Sequence, residues 1–370
     1  MAVASLFTAF MAPSWINWQF RLSLTGLVGE RGYYYLLWPV CLALATLVLP
    51  GRRSLLSQSV LGCSLVAIAF LLKPAVQAWQ LGRTLPGQLE AAFGPGTVDR
   101  PPFALAGLFA AEPAAVPVEE LNYSGALKMD FYRAIGRDPA PCVLSLHGGG
   151  YFSGGHRERR PFNFWLARHG YAVATIDYRL IPRAVWPAQH DDVAAALAFL
   201  RAHAAAMGID PARIVLLGRS AGAQLATTTA YAARDPGIRG VVAIYGPADL
   251  RTLWGSDNRD ILNGWTGRQL IQILLGGSPE SLPAAYLSAS GLLLASAASP
   301  PTLFLHGSLD SLVPVGQSEQ LSAKLTALGR PNVLVAIPWA SHSYDTINFD
   351  GPGGQITVYA VARFLAAVTR

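Results

Sequence analysis

The sequence predicts an α/β domain, a mostly parallel central sheet with helices on both faces, preceded by N-terminal transmembrane helices. Three observations carry this expectation. After Val118, short apolar runs alternate with longer amphipathic stretches. The short runs are apolar throughout rather than at every second residue, as in strands covered on both faces. Two uncharged stretches of about 19 residues stand near the N-terminus, close to the length that crosses a bilayer core.

The strand-like runs are Cys142–Leu146, Ala172–Ile176, Ile214–Leu217, Val241–Tyr245, Thr302–Leu305 and Val333–Ile337. Between them Arg157–His169, Ala188–Met207, Ala221–Ala233 and Gly316–Gly329 carry helical spacing. Such alternation implies a parallel sheet whose crossover helices cover it. Residues 118–370 are therefore expected to form the catalytic domain.

The two uncharged stretches are Gly32–Pro50 and Ser54–Leu72, joined by Gly51-Arg52-Arg53. Tyr33, Tyr34, Tyr35, Trp38 and Trp79 suit the interfacial ends of such a hairpin. Residues 1–75 are read as a membrane-anchoring segment in contact with membrane lipids, in an inner membrane. Arginines lie on both ends and in the turn, so the side occupied by the catalytic domain stays open. Met1–Phe20 has no basic start, unlike a cleaved leader, and is read as an interfacial helix or a third span. Residues 76–117, rich in Ala, Gly and Pro, are expected to be a linker or a cap over the catalytic face, with a short helix at Leu85–Phe93.

The bulk numbers agree with this division. The chain has 370 residues, 52% apolar, and a mean hydropathy of +0.34 that is high for a wholly soluble domain. The charge of +6 is scattered, so no nucleic-acid partner is expected. Three cysteines form no C-x-x-C pair and no metal site is expected. All three are read as small buried side chains, with a Cys41–Cys63 disulfide conceivable.

Three motifs carry chemistry. Gly218-Arg219-Ser220-Ala221-Gly222 lies between a strand run and a helical run. G-x-S-x-G is weak alone, but a sharp strand-to-helix turn lifts a serine hydroxyl above the sheet edge. His147-Gly148-Gly149-Gly150-Tyr151 follows the first strand run. Its glycines can present N–H groups to an oxyanion, and the Lys-Ser/Thr ending of a phosphate loop is absent. Asp310 and His342 follow the last two strand runs. Of seven histidines, His342 alone sits in a polar loop after the last core strand, which suits the base. Asp345 is an alternative acid to Asp310, only three residues from the histidine.

With these motifs, the chain resembles the hormone-sensitive-lipase-like and feruloyl-esterase-like branch of α/β hydrolases, which includes kynurenine formamidases. The resemblance runs from about Asn122 to the C-terminus. It rests on HGGGY (147–151), DYRL (177–180), WPAQHDDV (186–193), GIDPARIVLLGRSAGAQLA (208–226), YGPADL (245–250) and HGSLDSLVP (306–314). It implies an α/β-hydrolase fold, with Ser220 as nucleophile, Asp310 as acid and His342 as base. The N–H groups of Gly149, Gly150 and Ala221 would form the oxyanion hole. Asp192 with Tyr178-Arg179 would brace the scaffold. Neither metal nor organic cofactor is implied.

The expected activity is hydrolysis of an apolar or lipid-like carboxylic ester, or of a small-molecule ester, through an acyl-enzyme. Acyl transfer or amide hydrolysis by the same triad, and a non-catalytic binding role, are the alternatives. Two departures stand out. Arg219 fills a slot that often holds a smaller or acidic residue. Arg251–Leu275, with Trp254 and Trp265, is read as a lid or acyl pocket.

Overall fold

The computed structural model describes residues 18–48, 54–255, 261–262 and 265–370. The expected helix before residue 18 and the Gly51-Arg52-Arg53 turn lie outside the described residues. So does part of the 251–275 segment.

Eight strands form one sheet: β1 (Glu119–Ser124), β2 (Leu127–Tyr132), β3 (Ala140–Leu146), β4 (Ala172–Ile176), β5 (Ile209–Arg219), β6 (Ile238–Ile244), β7 (Thr302–Gly307) and β8 (Asn332–Ile337). Their spatial order is β1-β2-β4-β3-β5-β6-β7-β8. Only β2 runs against its neighbours; all pairs from β4 through β3 to β8 are parallel. The apolar runs behave as covered strands must. In β3, Cys142, Leu144 and Leu146 enter one core while Val143 enters the other. Ile214 and Leu216 of β5 face the first core, Val215 and Leu217 the second.

Helices α5 (Ala188–Ala202), α6 (Ala221–Ala233) and α8 (Gly316–Ala327) pack on the first core through Val193, Leu225 and Leu321. On the opposite face lie α4 (Arg160–Arg168) and α9 (Pro352–Val368), through Leu166 and Phe364. Sequence reading missed α9 because it is apolar nearly all round and so has no polar stripe. It also missed the β1–β2 hairpin. That hairpin lies at the sheet edge, where Glu119, Glu120 and Arg133 are exposed and polar residues guard the open strand.

The N-terminal part departs further from expectation. Helix α1 (Trp18–Arg31) leads into a 3₁₀ turn, Gly32–Leu36, then α2 (Leu37–Val48) and a 39-residue α3 (Leu55–Phe93). The stretch Gly32–Pro50 therefore does not form one 19-residue helix. Tyr33 is drawn onto the domain, where its hydroxyl donates to Leu108 O (2.9 Å) and accepts from Asn348 (2.8 Å). What remains for α2 is 12 residues, about 18 Å at 1.5 Å per residue and short of a bilayer core. Among the described residues α3 alone is long and apolar enough to cross a membrane.

The boundary expected at 75/76 falls inside α3, whose distal half (Ala75, Ala78, Leu85, Leu89) belongs to the second core. The short helix expected at Leu85–Phe93 is the end of this one. Residues 94–117 run along α9: Arg363 donates to Gly94 O (3.1 Å) and Gln355 accepts from Ala104 N (2.9 Å). None of them lines the Ser220 cavity described below. Cys142 is buried as expected, but Cys41 and Cys63 are exposed free thiols on the outward faces of α2 and α3.

Glu30 ties α1 to the catalytic domain. Its carboxyl is wholly buried and accepts from Trp339 Nε1 (3.1 Å), Gly353 N (2.9 Å) and Gly354 N (3.3 Å) at the start of α9. Burial raises its pKa to about 8, against the lowering effect of those three donors. A raised carboxyl pKa means the folded state holds the proton more tightly. Stability is therefore fully present below the unfolded pKa near 4.5 and declines as pH rises through about 8. The midpoint of thermal unfolding is expected to fall by several °C between pH 5 and 8.5, and Glu30→Gln to flatten that slope. Melts of the two proteins across that range check it; parallel slopes would remove Glu30 as the cause.

Candidate active site

Ser220 is the one residue between β5 and α6, and it adopts φ 52°, ψ −119°. A side chain at such a φ costs on the order of 1–3 kcal/mol and persists only where its surroundings enforce it. Here the two flanking glycines do so. A Cβ on Gly218 would lie 2.0 Å from Gly222 O, and one on Gly222 would lie 2.3 Å from Leu146 O. The backbone can make this turn only because both lack side chains.

His342 sits in the loop between β8 and α9. Its Nε2 is 2.9 Å from Ser220 Oγ and its Nδ1 is 2.7 Å from Asp310 Oδ2. A carboxylate only accepts, so Nδ1 carries the proton and Nε2 accepts from the serine hydroxyl. Asp310 closes the loop after β7. Its other oxygen accepts from Leu312 N (3.0 Å) and Val313 N (2.9 Å). Burial pushes the Asp310 pKa up, but the His342 imidazole and hydrogen bonds from His306 and His342 bring it down to about 2. His306, wholly buried, bridges Ser318 Oγ and Val313 O at 2.8 Å each and so fixes this loop.

Asp345, the alternative acid, is turned away from the imidazole. One of its oxygens accepts from Arg219 Nε (2.6 Å) and the other from the Tyr245 hydroxyl (2.5 Å). Burial raises its pKa, yet the Arg219 and Arg159 cations hold it below the usual carboxylate value. Arg219 is therefore one half of a buried ion pair, 4% exposed on each side, stacked over Phe162. This accounts for the unusual residue beside the serine.

The glycine loop lies against the same site. Gly149 has φ +101° and a Cβ there would strike Ser153 O at 2.1 Å, so only glycine fits. Gly148, Gly149 and Gly150 line one cavity of about 260 Å³ with Ser220 and His342. The N–H groups of Gly149, Gly150 and Ala221 donate no backbone hydrogen bond among the described residues. Ala221 opens α6, whose N-terminal dipole favours negative charge at this place. His147 stays out of the proton path: it is buried, stacked 4.0 Å from Tyr178, and burial lowers its pKa to about 4. Arg179 donates from its backbone (2.8 Å) and side chain (2.9 Å) to Asp192, a scaffold brace.

The arrangement has defined chemical capacity. A hydroxyl bonded to an imidazole that is held by a buried carboxylate can lose its proton as it attacks a carbonyl. Free N–H groups beside it can receive the oxyanion that forms.

The BD-FAE family profile matches residues 129–325, more than half of the chain. This chain belongs to the BD-FAE family. Ser220 and Asp310 of the BD-FAE chain lie inside the matched segment, and His342 comes from the loop beyond it. Over 264 residues it is 30% identical to the probable carboxylic ester hydrolase LipM of Mycobacterium tuberculosis, covering 67% of this chain and 59% of LipM. It is also 30% identical to esterase LipC of that organism over 246 residues, 63% of this chain and 59% of LipC. The BD-FAE chain thus spans about three-fifths of the length of these relatives. Among solved structures, a bacterial heroin esterase superposes with TM-score 0.60 at 24% identity, covering 78% of this chain and 92% of the esterase. A truncated carbohydrate esterase from gut microbiota gives 0.58 at 23%, with 70% and 99% covered. At such identities the likeness shows the α/β-hydrolase fold.

Sequence reading missed several residues of the BD-FAE cavity: Glu158, Arg159, Tyr245, Leu312 and Thr346. Tyr245 opens the YGPADL run, and its ring stands 4.7 Å from that of His342. Leu312 belongs to the HGSLDSLVP run; Glu158, Arg159 and Thr346 carry no motif and arrive there from loops. Of the expected lid, Trp265 packs edge-on against Phe152, just past the glycine loop (5.6 Å). Helix α7 (Gly267–Leu275) follows, started by a Thr266–Gln269 capping box. Away from the cavity, Glu120, Asp130 and His156 bring ligand atoms within 4.8 Å of one another. Lys128 and Arg157 pair with Glu120 there, and Arg160 with Asp130.

Proposed function

We propose that this chain is a membrane-anchored serine hydrolase of carboxylic esters, acting on an apolar or lipid-like substrate. In this reading Ser220 attacks the ester carbonyl while His342 takes its proton and Asp310 stabilises the imidazolium. Gly149, Gly150 and Ala221 N–H groups hold the oxyanion. His342 then returns the proton to the leaving alcohol, and water activated by the same histidine releases the acid. The observation that carries this is the unbroken relay from Ser220 Oγ through His342 to Asp310, at 2.9 and 2.7 Å, beside unpaired N–H groups. Carboxylic ester hydrolases among the relatives support the same reaction class.

The membrane part rests on the outward surface of α2 and α3. Val48 is 82% exposed, Leu55 81% and Trp38 74%, large apolar side chains that are costly to leave in water. Their helices stand on the second-core side, joined to the domain through the distal half of α3.

A fluorophosphonate probe is expected to label the full-length protein at Ser220 and to leave Ser220→Ala unlabelled. Equal labelling of both would exclude Ser220 as nucleophile. Full-length protein is expected to sediment with membranes and to resist carbonate extraction; recovery in the supernatant without detergent would remove the anchor.

A further inference from the structure

A second cavity of about 260 Å³ adjoins the Ser220 cavity. Arg159, Arg219 and Thr346 line both. The second cavity extends to Arg31, at the end of α1, and to Glu112, Asn348 and Phe349. Its charges do not cancel. Arg219 is neutralised by Asp345 in their buried pair. Arg31 donates to a backbone carbonyl, Ile347 O at 2.7 Å, and Arg159 makes only a 3.5 Å contact to Asp345 O. Glu112, exposed at the rim, is the remaining acid in this lining.

Arg159 is the unusual member. It takes a left-handed conformation, φ 59° and ψ 34°, just before α4. Its Nε is shielded from solvent and has no hydrogen-bond acceptor. A shielded N–H on a cation without an acceptor is costly, and native structures rarely leave one without a partner. Glu158 and Asp345 act on Arg159 only through space: among the described residues no carboxylate lies within ion-pair distance of its guanidinium. Arg159 thus stands where the two cavities meet, held in a strained backbone, with its guanidinium lacking a carboxylate partner among the described residues. Arg31 lies one residue before the 3₁₀ turn that carries exposed Tyr34 and Tyr35.

We propose that this cavity is an anion subsite, in which Arg159, assisted by Arg31, holds the phosphate or carboxylate of an ester substrate while its carbonyl sits at Ser220. Guanidinium suits both anions because its planar fork presents paired donors to two oxygens at once. The inference deepens the hydrolase reading and rests on it for the position of the carbonyl. It narrows the substrate from any apolar ester to an amphiphilic ester with a negative group near the scissile bond.

Two measurements test it. The first compares 4-nitrophenyl hydrogen glutarate with the neutral 4-nitrophenyl pentanoate, in full-length protein in a neutral detergent. The ratio of kcat/KM, anionic over neutral, is expected to fall about tenfold or more in Arg159→Gln, with Arg159→Lys keeping part of it. A ratio unchanged by Arg159→Gln overturns the proposal, even if both rates fall together.

The second measurement does not depend on turnover. Butyl phosphate, pentanoate and butanol are titrated calorimetrically into Ser220→Ala and into Ser220→Ala/Arg159→Gln. At least one of the two anions is expected to bind the first protein about tenfold more tightly than the second, and butanol to show no such difference. Preference for butyl phosphate would identify a phosphate-bearing substrate, preference for pentanoate a carboxylate-bearing one. Equal affinities of both proteins for both anions overturn the subsite. If no ester is cleaved but anion binding still depends on Arg159, the hydrolase reading falls and the anion site stands.

Discussion

Ser220→Ala is expected to lower kcat on any cleaved ester by at least about a thousandfold, with expression and thermal stability retained. The hydroxyl is the atom that would form the acyl-enzyme, so no neighbouring group can replace it. Removing it also leaves the fold undisturbed, because Ser220 is set by its backbone and by Gly218 and Gly222 rather than by its side chain. His342→Ala is expected to be nearly as damaging. The double variant should be little worse than either single one, since hydroxyl and imidazole act as one unit across their 2.9 Å bond. Steady-state kinetics on an aryl ester, with fluorophosphonate labelling as the control for contaminating hydrolases, checks all three. Losses that multiply in the double variant would mean that the two side chains act separately.

Asp310→Asn and Asp345→Asn should fail in different ways, although both carboxylates are buried near the same histidine. In Asp310→Asn the amide can no longer accept reliably from His342 Nδ1, so the imidazole loses the tautomer that lets Nε2 take the serine proton. A loss in kcat of about ten-thousandfold is expected, at nearly constant KM. Asp345→Asn should instead leave Arg219 as a buried cation without its partner, at a cost of about 3–5 kcal/mol in stability. At temperatures where Asp345→Asn remains folded, its kcat should stay far above that of Asp310→Asn. Denaturant unfolding and kinetics on the same preparations separate the two effects. An Asp345→Asn protein as inactive as Asp310→Asn while fully folded would transfer the acid role to Asp345.

These two aspartates also mark where sequence reading was strong and where it was not. Asp310 was legible because it follows a strand-like run inside HGSLDSLVP, and its order after Ser220 and before His342 suits a triad. The use of Asp345 was not legible. Its partner Arg219 is 126 residues away and Tyr245 is 100 away, and no local pattern encodes such a pairing. Arg159, Glu158 and Thr346 belong to the same class: their loops meet above the sheet only once the sheet exists. Glu30 is the extreme case, a residue of the N-terminal helix that closes on Gly353, 323 residues later.

Element identity followed the same division. The six parallel strands were readable because burial on both faces demands uninterrupted apolar runs, as Cys142–Leu146 has. Helix α9 and the β1–β2 edge hairpin were not, the first being apolar all round and the second half-polar. The first uncharged stretch misled for a similar reason. Absence of charge tells that a segment avoids water, not whether lipid or protein takes its place, and Tyr33 chose protein.

By itself, then, the sequence determined the parallel sheet, the serine turn, the glycine loop and the order of Ser220, Asp310 and His342 along the chain. Each of these depends on residues close together in the chain, where steric limits and burial periodicity act directly. Only tertiary structure decided which carboxylate meets the imidazole, which one neutralises Arg219, and which cation faces the open cavity. Those outcomes depend on distances between loops from separate strands, which chain-local physics does not encode.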